Sequence, residues 1–142
     1  GEEGGRALAA VLASVPELQE LELAGNELGE AGGRAMAEGL ASVPKLKTLD
    51  LGYNNLGDAG GQAVVAALAS VPELKVLNLA SNDLREAGGL AVADALLASV
   101  PKLEELCLWH NPLPRDAARK VKVAWAAPLP DGGARPERGR KQ

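Results

Sequence analysis

Cys107 and His110 are the only cysteine and histidine of the chain, three positions apart. Such side chains can ligate a metal or form a thiolate–imidazole nucleophile. Either use needs further ligands or an orienting third group, and none is recognisable beside them. The pair reads as a half-buried thiol and a rim histidine. The carboxylates are numerous yet evenly spaced, which gives no sign of a catalytic acid–base pair. No catalytic, metal-binding or cofactor-binding residue is therefore expected, and the chain reads as non-enzymatic. Tyr53 and Trp109 offer a different chemistry, being two of only three aromatics in 142 residues. Tyrosine and tryptophan are enriched among the side chains that dominate protein–protein binding. Glu20, Glu22, Thr48, Asp50, Asn78, Glu105 and His110 supply charge, hydroxyl and amide groups around them, a set suited to a protein partner with a basic surface.

What must position these residues is a 28-residue period. Leu18, Leu21, Leu23, Asn26 and Leu28 recur as Leu46, Leu49, Leu51, Asn54 and Leu56, then as Leu74, Leu77, Leu79, Asn82 and Leu84. A fourth copy, after a unit of 29 residues, is Leu103, Leu106, Leu108, Asn111 and Leu113. Units of this kind cannot bury their apolar faces alone, so they stack into a solenoid. The first half of each unit alternates near its end, as in Leu18–Leu23, and predicts a short strand with leucines inward. Side chains between the leucines then face the other way. Those are Glu20, Glu22, Ala24 and Gly25; Thr48, Asp50, Gly52 and Tyr53; Val76, Asn78, Ala80 and Ser81; and Glu105, Cys107, Trp109 and His110. The recurring asparagine turns its amide onto neighbouring backbone, making a ladder between units.

The second half of each unit predicts a helix. Glu30-Ala-Gly-Gly, Asp58-Ala-Gly-Gly and Glu86-Ala-Gly-Gly open it, with an acid near the positive helix end. Small and apolar residues follow at helical spacing. The Gly-Gly pairs lack the G-x-x-x-x-G-K-[ST] pattern of a phosphate loop and read as close-packing positions. Ser-Val-Pro ends each helix, because proline cannot continue it and extends the residue before it.

The spacing L-x-x-L-x-L-x-x-N-x-L resembles the ribonuclease-inhibitor type of leucine-rich repeat over nearly all of residues 1–127. The resemblance implies an α/β solenoid, a horseshoe segment with parallel strands on the concave face and helices on the convex face. It also implies protein binding. That family includes inhibitors of secreted ribonucleases, sensor regions of intracellular immune receptors, and activators of the GTPase Ran.

Residues 1–127 are read as one repeat domain: a partial unit 1–17, units 18–45, 46–73 and 74–102, and a capping unit 103–127. The partial unit is expected to leave Leu8, Leu12 and Leu18 poorly covered, so upstream repeats or a partner are expected at that edge. In the last unit Lys120 replaces a buried alanine and Trp125 a leucine, as a solenoid cap requires. Residues 128–142 form a basic Pro/Gly-rich tail, expected to be flexible or ordered by a partner.

Bulk composition agrees with this organisation. Hydrophobic content is 46%, enough for a continuous core. No apolar run approaches the ~18 residues of a membrane span. A lone cysteine permits no intrachain disulfide, and the chain has no N-x-[ST] acceptor, which fits an intracellular, cytoplasmic setting. The formal net charge of −4 hides an asymmetry: residues 1–114 carry 16 acidic and 7 basic side chains, whereas residues 115–142 carry 3 and 8. The tail therefore either meets a different partner or folds back on the acidic body. Nucleic acid is not an expected partner. The leading function is a protein-interaction module using the concave strand face, within a longer chain or larger complex. Two alternatives stand beside it: an architectural subunit held by its tail and convex face, and a GTPase-activating regulator resembling the Ran activators.

Overall fold

A computed structural model describes residues 1–141. Helices and strands alternate as α1 (Glu2–Leu12), β1 (Glu20–Glu22), α2 (Gly29–Gly39), β2 (Thr48–Asp50), α3 (Gly57–Ala67), β3 (Val76–Asn78), α4 (Glu86–Ala98), β4 (Glu105–Cys107), α5 (Arg115–Ala126) and β5 (Arg140–Lys141). The strands form one parallel sheet in sequence order. Its register places Leu21 beside Leu49, Leu49 beside Leu77, and Leu77 beside Leu106. The period thus becomes a continuous leucine layer, in which Leu46, Leu49, Leu51 and Leu56 of one unit are wholly buried. Met36, Leu40, Val64, Leu68, Val92 and Leu96 close that layer from the helical side.

Two polar devices hold the units in register. The Asn54 amide donates to the Leu23, Leu51 and Gly52 carbonyls, while its Oδ1 accepts from the Asn26 and Leu28 N–H groups. Asn82 and Asn111 repeat the arrangement one and two units later. Asn54 and Asn82 are fully buried, so the satisfied amides are what make their burial tolerable. Asp58, in the first turn of α3, accepts from the Arg85 and Gly88 N–H groups at 2.7 and 2.8 Å. It therefore serves the start of the next helix, α4, rather than its own.

The Gly-Gly positions are sites of contact. A Cβ on Gly33 would lie 2.7 Å from Leu56 Cδ2, and one on Gly61 would overlap Leu84 Cδ2. Before Val-Pro, α2 and α3 tighten into 3-10 turns, Leu40–Ser42 and Leu68–Ser70. The longer third unit instead continues α4 to Ala98.

Both ends depart from expectation. At the first, β1 has a neighbour on one side only, and Val11 and Val15 are exposed. Leu12, however, is buried rather than poorly covered, whereas Leu8 and Leu18 are partly covered. Gly39 allows this, since a Cβ there would meet Ala9 Cα at 2.8 Å and Leu12 Cδ1 at 3.1 Å. At the other end, residues 128–141 are not flexible but fold back on the body, one of the two arrangements that the charge asymmetry predicts; Gln142 lies outside the described residues.

Arg135 anchors the tail. It is 8% exposed, and its guanidinium donates to the Leu96 and Val100 carbonyls at 2.7 and 3.0 Å. The Leu96 carbonyl belongs to the last turn of α4, where the helix dipole favours a cation, and Val100 lies just beyond the helix. Burial lowers the Arg135 pKa from its ordinary value. The guanidinium also stands 5.5 Å from the ring centre of Trp125, whose indole N–H donates to the Pro136 carbonyl at 2.8 Å. Trp125 is buried between core and tail. Arg140 and Lys141 then pair with Leu106 and Cys107 as β5.

Candidate protein-binding site

On each three-residue strand the central leucine faces the core and its flanking residues face the concavity. Where those side chains converge there is a groove of 340 Å³. Glu22, Thr48, Asp50, Asn78, Glu105 and Trp109 all line it, with Val76 and Cys107 between them. Six of the nine sequence-predicted site residues are thus brought together. Glu20, Tyr53 and His110 lie outside the walls of this groove.

The displacement of Tyr53 has a backbone cause. Gly25, Tyr53, Ser81 and His110 occupy one repeat position, and all four adopt left-handed backbone, with φ of 72°, 56°, 54° and 58°. The turn after each strand imposes this conformation, which is free for Gly25 and costs a bulky residue roughly 1–2 kcal/mol. The Tyr53 side chain is 60% exposed on that turn. His110 lies in the corresponding turn, its Nδ1 3.5 Å from Ser81 Oγ, whereas Cys107 is on the strand. The cysteine and histidine therefore serve two different surfaces.

Trp109 occupies the position held by Ala24, Gly52 and Ala80 in the preceding units. Of these, Gly52 and Ala80 are buried and so do not contribute the open surface expected of them. A single large ring, 49% exposed, consequently rises at the end of a row of small residues. Asp50 and Asn78 are already partly engaged: Asp50 Oδ1 accepts from the Gly52 N–H, and Asn78 Oδ1 from the Ala80 N–H, both at 2.9 Å. Each has a second side-chain atom to offer a ligand.

Strand pairing supplied one groove residue that the repeats could not indicate. Lys141, in the register position beside Cys107, lines the groove. The Leu108 N–H donates to the Lys141 carbonyl at 2.6 Å, continuing the series in which Leu51 bonds Asn78 and Leu79 bonds Cys107. The tail thus takes the place of a further repeat strand and puts one cation at the end of an acidic groove. The positive charge balance of the last 28 residues was the available signal.

The leucine-rich repeat family model matches three consecutive stretches, residues 16–37, 44–65 and 72–93. Together with the stacked α/β units, this makes the chain a leucine-rich repeat protein. No curated protein matches the sequence. Among solved structures, a chain described as leiomodin-1 actin-binding site 2 superposes with a TM-score of 0.71. The superposition covers 84% of this chain and 71% of that one, at 19% identity, a likeness of fold. No helix among the described residues is long and apolar enough to cross a membrane.

Proposed function

We propose that this chain is a non-enzymatic protein-interaction module of the ribonuclease-inhibitor type, taking a basic segment of another protein along its concave groove. The observation that carries the reading is Trp109. An exposed indole stands in a groove with Glu22, Asp50 and Glu105, at a repeat position otherwise reserved for alanine or glycine. A lysine or arginine of a partner can stack on the ring while the carboxylates attract it. Tyr53, on the turn after β2 and two units away, offers a second contact for a partner wide enough to leave the groove. The leiomodin-1 segment is described as an actin-binding site, a precedent for protein binding by a stack of this shape. The tail is committed to the chain's own sheet edge, which weighs against its use as the tether of an architectural subunit.

The test is affinity capture with the intact chain beside its Trp109→Ala and Asp50→Asn variants, with purified actin as one defined bait. Trp109→Ala is expected to weaken partner binding by ~1–4 kcal/mol while leaving the melting temperature unchanged. Asp50→Asn keeps the oxygen that accepts from the Gly52 N–H, as Asn78 does one unit later. It should therefore slow association and reduce its salt dependence without unfolding the turn. Partners captured equally by parent and both variants would place binding elsewhere.

A further inference from the structure

A second groove lies on the convex side, between α4 and α5, with a volume of 240 Å³. The repeat provides its own control for this surface. Leu40 and Leu68 are followed by Ala41 and Ala69, whereas Leu96 is followed by Leu97, in the unit with the extra residue. Two positions before the buried Leu40, Leu68 and Leu96 stand Glu38, Ala66 and Asp94; two before Trp125 stands Val123. Both departures exchange a small or charged residue for a larger apolar one. Both leave it in solvent, with Leu97 62% and Val123 65% exposed. Neither is needed by the core, and the two stand on opposite walls of the same groove.

The charges around it are unequal. Arg119 and Lys120 line the α5 wall, and Asp94 the α4 wall. Arg115 and Lys122 extend the basic character of α5, against one acid, Asp116, which pairs with Arg119 at 3.3 Å. We propose that this groove docks an acidic amphipathic helix of a partner protein. Its apolar face would lie between Leu97 and Val123, with carboxylates turned toward Arg119 and Lys120. A helix laid in a groove is a recurrent mode of recognition, and the side chains here have the required helical spacing: Ala93 and Leu97 on one wall, Lys120, Val123, Ala124 and Ala127 on the other. The narrow apolar strip and the carboxylate of Asp94 make an anionic bilayer the poorer fit. This surface is separate from the concave groove, and the inference does not rest on that reading.

The experiment is fluorescence anisotropy with the full chain and a synthetic helical peptide. The peptide carries leucines at i, i+3 and i+7 and glutamates on its flanks. A second peptide carries lysines in place of the glutamates. The acidic peptide should bind saturably, and Leu97→Asp and Val123→Asp should each weaken it about tenfold or more. Both residues are solvent-exposed, so circular dichroism should show these variants melting with the parent. Lys120→Glu should cost about fivefold and flatten the salt dependence, while Asp94→Asn should tighten binding. Trp109→Ala should change nothing, which separates this surface from the concave one. The proposal is overturned by an absence of saturable binding, by equal binding of the lysine peptide, or by indifference to Leu97→Asp. Leu97-dependent flotation with phosphatidylserine vesicles but no peptide binding would also overturn it, and so would Leu97-dependent self-association in sedimentation velocity.

Discussion

The middle of this solenoid and its C-terminal end use the same sheet but secure it differently. Between Leu18 and Val100, each strand is held by the next unit: Leu51 bonds the Asn78 carbonyl, Leu79 bonds that of Cys107, and an asparagine side chain ties each pair. These strand and asparagine bonds are made again one repeat away. At the end, Leu108 makes the corresponding bond to Lys141, a residue outside the repeat pattern. Three side chains or positions hold that residue's segment in place, each used once: Arg135, Trp125 and Gly139. Order propagates in the middle and is improvised at the end. Interior damage should therefore spread through neighbouring units, whereas damage at the end should stay local.

The largest effect is expected from Trp125→Ala, which empties the space between core and tail and should cost ~3–5 kcal/mol. Its loss should be confined to residues 103–141, seen as early exchange there with residues 18–100 still protected. Leu51→Ala, at a fully buried interior site, should cost ~2–5 kcal/mol and lower the single unfolding transition of the whole domain. A two-step melt in Leu51→Ala, or a one-step global collapse in Trp125→Ala, would erase the contrast.

Smaller changes sharpen the comparison. Arg135→Met keeps much of the apolar stem but removes the donors to Leu96 and Val100, and should cost ~1–3 kcal/mol, chiefly through the Leu96 carbonyl, since Val100 keeps the Leu103 N–H. Tail release should follow, detected as proteolysis near residues 128–134. The smallest effect should come from Lys102→Met. Lys102 hydrogen-bonds Glu73 at 2.6 Å across two units and holds its carboxyl below the ordinary carboxylate range. Both side chains are well exposed, so the melting temperature should not move. The Glu73 carboxyl should instead rise toward the ordinary range in an NMR titration, with Lys47 and Lys75 still lowering it. The sign follows from the lowered value: whatever the pair contributes is present above the ordinary range and disappears as pH falls through the depressed one.

The same contrast explains what the sequence could reveal. The leucine layer, the asparagine ladder and the helix stops are legible because each is written three or four times at fixed spacing. Thr48, Asp50, Asn78 and Trp109 could be placed in one groove from that spacing alone. Tyr53 could not, because the left-handed turn that carries it out of the groove depends on backbone geometry rather than on side-chain alternation. Leu12 is buried through close helix approach at Gly39, a distance that no period encodes. The tail's return to the body was legible only as one of two outcomes of the charge asymmetry, and its anchoring was illegible for a plainer reason. A Pro/Gly-rich basic segment has the composition of a disordered one, and its order depends on single contacts such as Arg135 with the end of α4. Gly139 shows the same limit, since a Cβ there would overlap the Glu104 carbonyl, and nothing beside it in sequence reveals that neighbour.

The most direct measurement is amide hydrogen exchange at Leu108 compared with Leu79, in the parent chain and in Arg135→Met. The two N–H groups occupy the same repeat position. One donates to the Lys141 carbonyl of the tail, the other to the Cys107 carbonyl of the next unit. In the parent both should be protected. In Arg135→Met, Leu108 should exchange freely while Leu79 stays protected, because only the improvised end has been released. Equal protection of both in the variant, or loss of both together, would contradict the division between a self-propagating interior and a tail-held end.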